Sequence, residues 1–339
     1  MKITYLLGAG ASANALPVVG GIKQRVEEMI KTLSLSHYEL NGNFQTEYIL
    51  ESHSRSKLDV QRLFVEDLKW LSRELDNRAS IDTYAKKLYL TKDDKTLNKL
   101  KLTFSLFLVL EQIIRSPDLR YDSFFASILN FNTIDFPENI RILTWNYDSQ
   151  FEIAFSEYSG DATIQANQFR LNLLTPETAE LLKAPGFKIV KLNGTTDYKE
   201  ARKSSVIQFS KNVQRKLTPE VLSEILEHYI KIRVSPQAYE MNLKFAWEQS
   251  LHHSMPSKDI AIEVSNNSDI LIVIGYSFPY FNRYIDREIV AAMNPKKVYF
   301  QSLEPELIKE RFRAFDTSGT DRAFIEKKNI NQFLLPDEL

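Results

Sequence analysis

The sequence predicts an α/β protein: a parallel sheet with helices on both faces and a helical insertion after the first βα unit. Three observations carry that expectation. Short apolar runs recur along the chain and alternate with stretches at helical spacing, the pattern of βα units. Four of the runs end in a polar or glycine-bearing cluster, LLGAGAS, ILTWNYD, VKLNGTTD and VIGYSFP. Between the first run and the second, about one hundred residues read as mostly helical.

The first strand covers residues 2–7, where Ile3, Tyr5, Leu6 and Leu7 suit a buried position. A helix is expected over 18–33, and 34–57 is polar and irregular. Val60, Leu63, Phe64, Leu68, Leu71 and Leu75 place a helix over 58–77. Further helices are expected over 80–90, 96–115 and Tyr121–Phe131, with LTFSLFLVL (Leu102–Leu110) buried. Strands return at Ile140–Thr144, Lys188–Leu192 and, weakly, Val206–Phe209. Thr218 and Pro219 have the residue types of an N-cap and a first helical position. A helix is expected over 239–265, then strand Asp269–Ile274, helix 283–293 and a last core strand Lys297–Gln301. The expected organisation is one domain over 1–339, with Leu58–Phe131 as the insertion. That insertion serves either as a subdomain core or as a lid or oligomer contact.

Composition narrows the function classes. The chain has 339 residues, 43% of them hydrophobic, enough for a substantial core. A net charge of −1 gives no general attraction to nucleic acid or an anionic membrane. With no cysteine there are no disulfides, thiolate zinc sites, iron–sulfur clusters or cysteine nucleophiles. The histidines His37, His53, His228, His252 and His253 lack zinc-site spacing, so no metal is expected. His252 and His253 fall in the expected 239–265 helix, as surface or helix-end residues. No apolar run approaches the roughly 20 residues that span a bilayer, and the N-terminus has no secretory pattern. A soluble, cytoplasmic protein is expected.

The first cluster fits the G-x-G-x-x-G/A spacing of a Rossmann-like nucleotide-binding turn, through Gly8, Gly10 and Ala13. Glycines let a backbone approach a pyrophosphate, and a helix N-terminus offers it N–H groups. The bland alternative is a tight strand–helix turn. A dehydrogenase needs an acid about 20 residues on, at the end of a second strand. Here Glu27 and Glu28 lie inside a helical pattern instead. No GK[ST] sequence follows the glycines, which argues against a P-loop kinase or ATPase.

Taken in order, the four clusters resemble the sirtuin-like family. The matching segments are Gly8-Ala9-Gly10-Ala11-Ser12, Thr144-Trp145-Asn146-Tyr147-Asp148, Lys191-Leu192-Asn193-Gly194 and Gly275-Tyr276-Ser277. Protein deacylases of that family carry a four-cysteine zinc module, which this chain lacks. The helical insertion looks instead like the bacterial anti-phage branch, whose members hydrolyse NAD+ and deplete it in infected cells. The resemblance implies NAD+ as substrate, with no zinc and no separate cofactor. It also implies control by a homo-oligomer or by a partner: a DNA-translocase-type ATPase, a nucleotide-sensing or nucleotidase-like protein, or an Argonaute-like protein.

The same resemblance implies roles for residues. Gly8, Ala9, Gly10, Ala11 and Ser12 would wrap the phosphates, and Thr144, Gly194, Thr195, Gly275, Tyr276 and Ser277 would line the nucleotide site. Thr196 and Asp197 continue the polar turn after Gly194, and Arg283 and Asp286 sit on the next helix as ligand contacts or helix anchors. Asn146 would position water or hold ribose hydroxyls while positive charge builds on the ribose. An Asx-turn or cap is its bland alternative. Asp148 either caps the next helix or orders the site. Asn193 is the departure: the family has histidine there, and an amide is no useful base. Three readings of Asn193 stay open: a natural variant relying on Asn146, a form inactivated to trap substrate, and a pseudoenzyme that binds nucleotide without cutting it.

Overall fold

The computed structural model describes residues 1–44, 56–78, 80–130, 134–183, 186–201, 203, 206–213, 216–245, 247–248, 256–316 and 321–339. These fall into two compact units. The first comprises Met1–Asn14, Pro117–Gly194 and Ala246–Leu339, and the second Ala15–Ser116 and Thr195–Phe245. The second unit is therefore larger than the expected 58–131 insertion and is made of two chain segments.

In the first unit, β1 (Ile3–Leu7) is followed by α5 (Leu119–Ile128), the fifth α-helix in chain order, since Ala15–Ser116 belongs to the second unit. Then come β2 (Ile140–Thr144), α6 (Gln150–Ser159), α7 (Ile164–Arg170), β3 (Leu173–Leu174) and β4 (Lys188–Lys191). The chain returns with α9 (Ser257–Ser265), β8 (Ile270–Ile274), α10 (Arg283–Met293), β9 (Lys297–Gln301), α11 (Pro305–Arg313) and β10 (Ala323–Lys327). The strands form one sheet in the order β10-β9-β8-β1-β2-β4-β3, and every neighbouring pair is parallel. Alternation along each strand feeds two cores. Leu6, Leu143, Val190, Val273 and Phe300 pack with residues of α9, α10 and α11. Tyr5, Leu7, Ile142, Ile189 and Ile272 pack with α5 and α6. Helices thus cover both faces, as a parallel sheet requires, and the fold is the expected Rossmann-like α/β class.

The chain leaves β1 toward β2, β4 and β3 on one side and returns through β8, β9 and β10 on the other. The β1/β8 boundary is therefore a topological switch point, where open α/β sheets form their ligand crevice at the strand carboxyl ends. Lys297–Gln301 is not the last strand, because β10 pairs beyond it. Its residues are only partly buried, so it carries no continuous apolar run.

The second unit contains α1 (Ile22–Leu33), α2 (Lys57–Asp76), α3 (Ile81–Leu90), α4 (Asp94–Ile114) and α8 (Pro219–Val234). It also holds an antiparallel sheet in the order β6-β5-β7, from Val206–Ile207, Tyr198–Glu200 and Tyr239–Met241. The expected Val206–Phe209 strand lies in this small sheet and not in the main one. Residues 239–241 form β7 where a helix was expected: Tyr239, Glu240 and Met241 pair with Glu200, Lys199 and Tyr198, and cross-strand pairing overrides the helical spacing. Residues 242–245 and 247–248 are not helical either; 246 and 249–255, with His252 and His253, lie outside the described residues, and helix returns only with α9. Ser56, Ser80, Asp93 and Thr218 cap α2, α3, α4 and α8, each accepting a backbone N–H from the first turn. Leu102–Leu110 is buried within α4. Among the described residues no helix is long and apolar enough to cross a membrane.

Candidate active site

All four clusters emerge at strand carboxyl ends and are laced together by hydrogen bonds. Gly8 N donates to Ile274 O (3.1 Å), Gly10 N to Gly275 O (3.0 Å) and Ala11 N to Gly8 O (2.8 Å). A Cβ on Gly10 would stand 2.7 Å from Gly275 Cα, and one on Gly8 would stand 2.7 Å from the Tyr276 ring. The glycines are thus required by the close approach of the β1 and β8 loops to each other. These three donors are spent inside the protein. The chain then makes only a four-residue 3-10 turn, Ala9–Ser12. The first α-helix begins at Ile22, beyond Pro17, which disfavours helical geometry in the residue before it. The expected helix 18–33 therefore starts late and does not present its N-terminus directly after the glycine turn.

Ser12 is the hub of the buried cluster. Its Oγ donates to Asp148 Oδ2 (2.7 Å) and lies 2.7 Å from the Tyr121 hydroxyl. Asn146 Nδ2 donates to Ser12 Oγ (3.1 Å) and to Gly8 O (3.0 Å). A backbone carbonyl only accepts, so the nitrogen end of the Asn146 amide must face Gly8. Both amide hydrogens are then used, and Oδ1 is the end left to accept a proton donor. The Asn146 backbone N–H donates to Thr144 Oγ1 (3.1 Å), which fixes the turn after β2.

Asp148 divides its two carboxylate oxygens between the start of α6 and Ser12. Its Oδ1 accepts from Gln150 N (3.1 Å), the first residue of α6, whose N-cap is Ser149, while Oδ2 accepts from Ser12 Oγ. Burial raises its carboxyl above the usual range, opposed by the Lys191 ammonium. Lys191, itself buried, donates from Nζ to the Asp148 backbone carbonyl and lies 3.5 Å from Glu152 Oε1.

Asn193 follows β4 and donates from Nδ2 to Trp145 O (3.0 Å). The side chain is 5% exposed, and its Oδ1 is buried without a hydrogen-bond partner. Gly194 takes a left-handed φ of +71°. Thr195 begins the second chain segment of the second unit, and Thr195, Thr196 and Asp197 are buried. On the β8 side, Tyr276 stacks on Trp145 (5.7 Å between centroids, 19°), and its hydroxyl meets Asp286 Oδ2 (2.9 Å) and Asn282 Nδ2 (3.0 Å). Asp286 is therefore an anchor for Tyr276, and burial pushes its carboxyl well above the usual range. Arg283 stacks on the exposed Tyr280. Ser277 is exposed, as is Ala9, and the Ser277 carbonyl accepts from Arg311 (3.1 Å).

Sequence reasoning expected a helix over Tyr121–Phe131, most of α5, but missed the role of Asp118 and Arg120 at its start. Arg120 Nη2 donates to Gly10 O (3.1 Å) and Ala11 O (3.0 Å) and pairs with buried Asp118 (2.6 Å). Asp118 in turn accepts from Asn14 N (3.2 Å). This segment was read as part of the insertion, yet it belongs to the first unit and buttresses the glycine turn. The available signal was local: Pro117-Asp118 followed by Arg120, an acid at a helix start with a cation two residues on. Among the described residues no group of three or more histidine, cysteine, aspartate or glutamate side chains could hold a metal ion.

No protein-family model matches the chain, and no curated protein matches it. Among solved structures, Sir2Tm bound to a propionylated peptide is similar, with 12% identity and a TM-score of 0.42, over 97% of this chain and 88% of that one. At that similarity the strand order and loop geometry of the chain itself carry the fold assignment.

Proposed function

We propose that this chain is an NAD+ glycohydrolase that cleaves the nicotinamide–ribose bond to nicotinamide and ADP-ribose. Water forms the new C–O bond at the ribose anomeric carbon and loses a proton, while nicotinamide leaves with the electrons of the broken C–N bond. The observation that supports this reading most is Asn146. Its amide nitrogen is tied to Gly8 and Ser12, leaving Oδ1 to accept from a water or a ribose hydroxyl. A neutral acceptor orients the nucleophile beside a growing positive charge without itself changing charge. The proposal extends to an anti-phage effector that depletes NAD+ under the control of a partner or oligomer, and this extension rests on the motif resemblance alone.

A second reading is favoured by Asn193. An amide supplies no general base, and such help is worth about 10²–10⁴-fold in rate. The chain would then bind NAD+ or ADP-ribose and act through a partner. Nicotinamide release from NAD+ separates the two readings, measured for the sequence as it stands, for Asn193→His and for each with Asn146→Ala. Release by either parent that is lost with Asn146→Ala supports the hydrolase. Tight NAD+ binding with no release by either parent supports the binding module, and no binding rejects both.

A further inference from the structure

Tyr121 belongs to none of the four clusters, yet its hydroxyl reaches their centre. It lies 2.7 Å from Ser12 Oγ, which also contacts Asp148 and Asn146. A serine hydroxyl has one proton and two lone pairs. With the proton given to the Asp148 carboxylate, the lone pairs remain for the Asn146 amide and the phenol, so Tyr121 is the donor. The ring is buried and fixed edge-on against Phe151 (4.6 Å, 89°) and Phe333 (4.9 Å, 76°).

We propose that Tyr121 is a positioning residue of this site: bonded to Ser12 Oγ and to the Asn146 side chain, it holds the Asn146 amide with Nδ2 toward Gly8 and Ser12, leaving Oδ1 as its acceptor end. The proposal rests on reading Asn146 as the group that meets substrate. Without the phenol, Ser12 has an unfilled lone pair and can turn its proton away from Asp148, and the Asn146 amide loses its fixed partner. Burial holds the phenol pKa well above its usual value, so the donor persists at neutral pH.

The test is Tyr121→Phe, which keeps the ring packing and removes only the hydroxyl. Two signals are read: the side-chain amide resonances of Asn146, assigned by their loss in Asn146→Ala, and nicotinamide release from NAD+. The expected result is a shifted Asn146 amide pair with faster hydrogen exchange. With it comes roughly a fivefold to tenfold fall in kcat, the scale of one buried hydrogen bond, and little change in KM. Tyr121 also contacts the Asn146 side chain directly, so in a Ser12→Ala background Tyr121→Phe should have a clearly smaller effect. Para-aminophenylalanine at 121, which restores a donor, should recover the wild-type amide signal, and it is the variant to read against wild type if Tyr121→Phe does not fold. An unmoved Asn146 pair, or an equal effect in the Ser12→Ala background, overturns the proposal. If the amide pair responds while the wild type releases no nicotinamide, the positioning role stands and the hydrolase reading fails.

Discussion

Gly275→Ala is the sharpest perturbation of the switch point. Gly275 sits at φ +60°, and an added Cβ would lie 2.5 Å from Gly10 Cα, Gly10 C and Ala11 N. All three are backbone atoms, so no flexible side chain can swing aside. The left-handed conformation alone costs a non-glycine residue about 1–2 kcal/mol. Forcing apart two packed loops adds about 1–3 kcal/mol, the usual range for overpacking. The sum is about 2–5 kcal/mol, a large part of the roughly 5–15 kcal/mol that holds a typical domain folded. Urea unfolding by far-UV circular dichroism would measure it, with hydrogen exchange of β1 and β8 peptides localising the loss to the first unit. Gly20→Ala is the control, since a Cβ there meets nothing within 4 Å. A loss below about 1 kcal/mol for Gly275→Ala, or one equal to that of the control, would refute the interlocked-backbone account.

Other perturbations test separate parts of the molecule. Arg120→Met should cost about 3–5 kcal/mol by stranding the buried Asp118 carboxylate; Asp118→Asn combined with it should cost less than the two single losses added, as read by urea midpoints. Tyr229→Phe removes a 2.6 Å hydrogen bond to buried Asp67 in the second unit and should lower stability by about 1–2 kcal/mol, measurable by thermal unfolding. His228 faces the Tyr198 hydroxyl at 2.6 Å, and burial holds its imidazole below the usual 6.5. The folded ring therefore resists protonation more than the unfolded one. Its contribution to stability is full above about pH 6.5 and falls as the pH drops below that. Denaturant midpoints across that range should show the decline, and His228→Gln should flatten it.

Much of the first unit is legible in the chain because its signals are local. An apolar run ending in glycine or asparagine announces a buried strand and its exit turn, and β1, β2, β4 and β8 carry that pattern. The α8 start is equally local, since Thr218 caps it and Pro219 enters it. Elements without such a pattern escape: β3 has only two residues, and β10 is only partly buried. β7 reads as helix because its residues can take either spacing, and the partner strand that decides the matter lies about forty residues away.

The candidate site divides in the same way. Which residue types end the strands, Ser12, Asn146, Asp148, Asn193 and Gly275 among them, was written in the sequence, and so was the absence of a base at 193. What each of those residues touches was decided by the tertiary structure. Ser12 meets Tyr121 across 109 residues and Asp148 across 136, contacts that no local periodicity encodes. The parallel sheet brings them together: its strands run side by side in one direction, so their exit turns gather at one edge, and only there do single hydrogen bonds fix the amide nitrogens of Asn146 and Asn193.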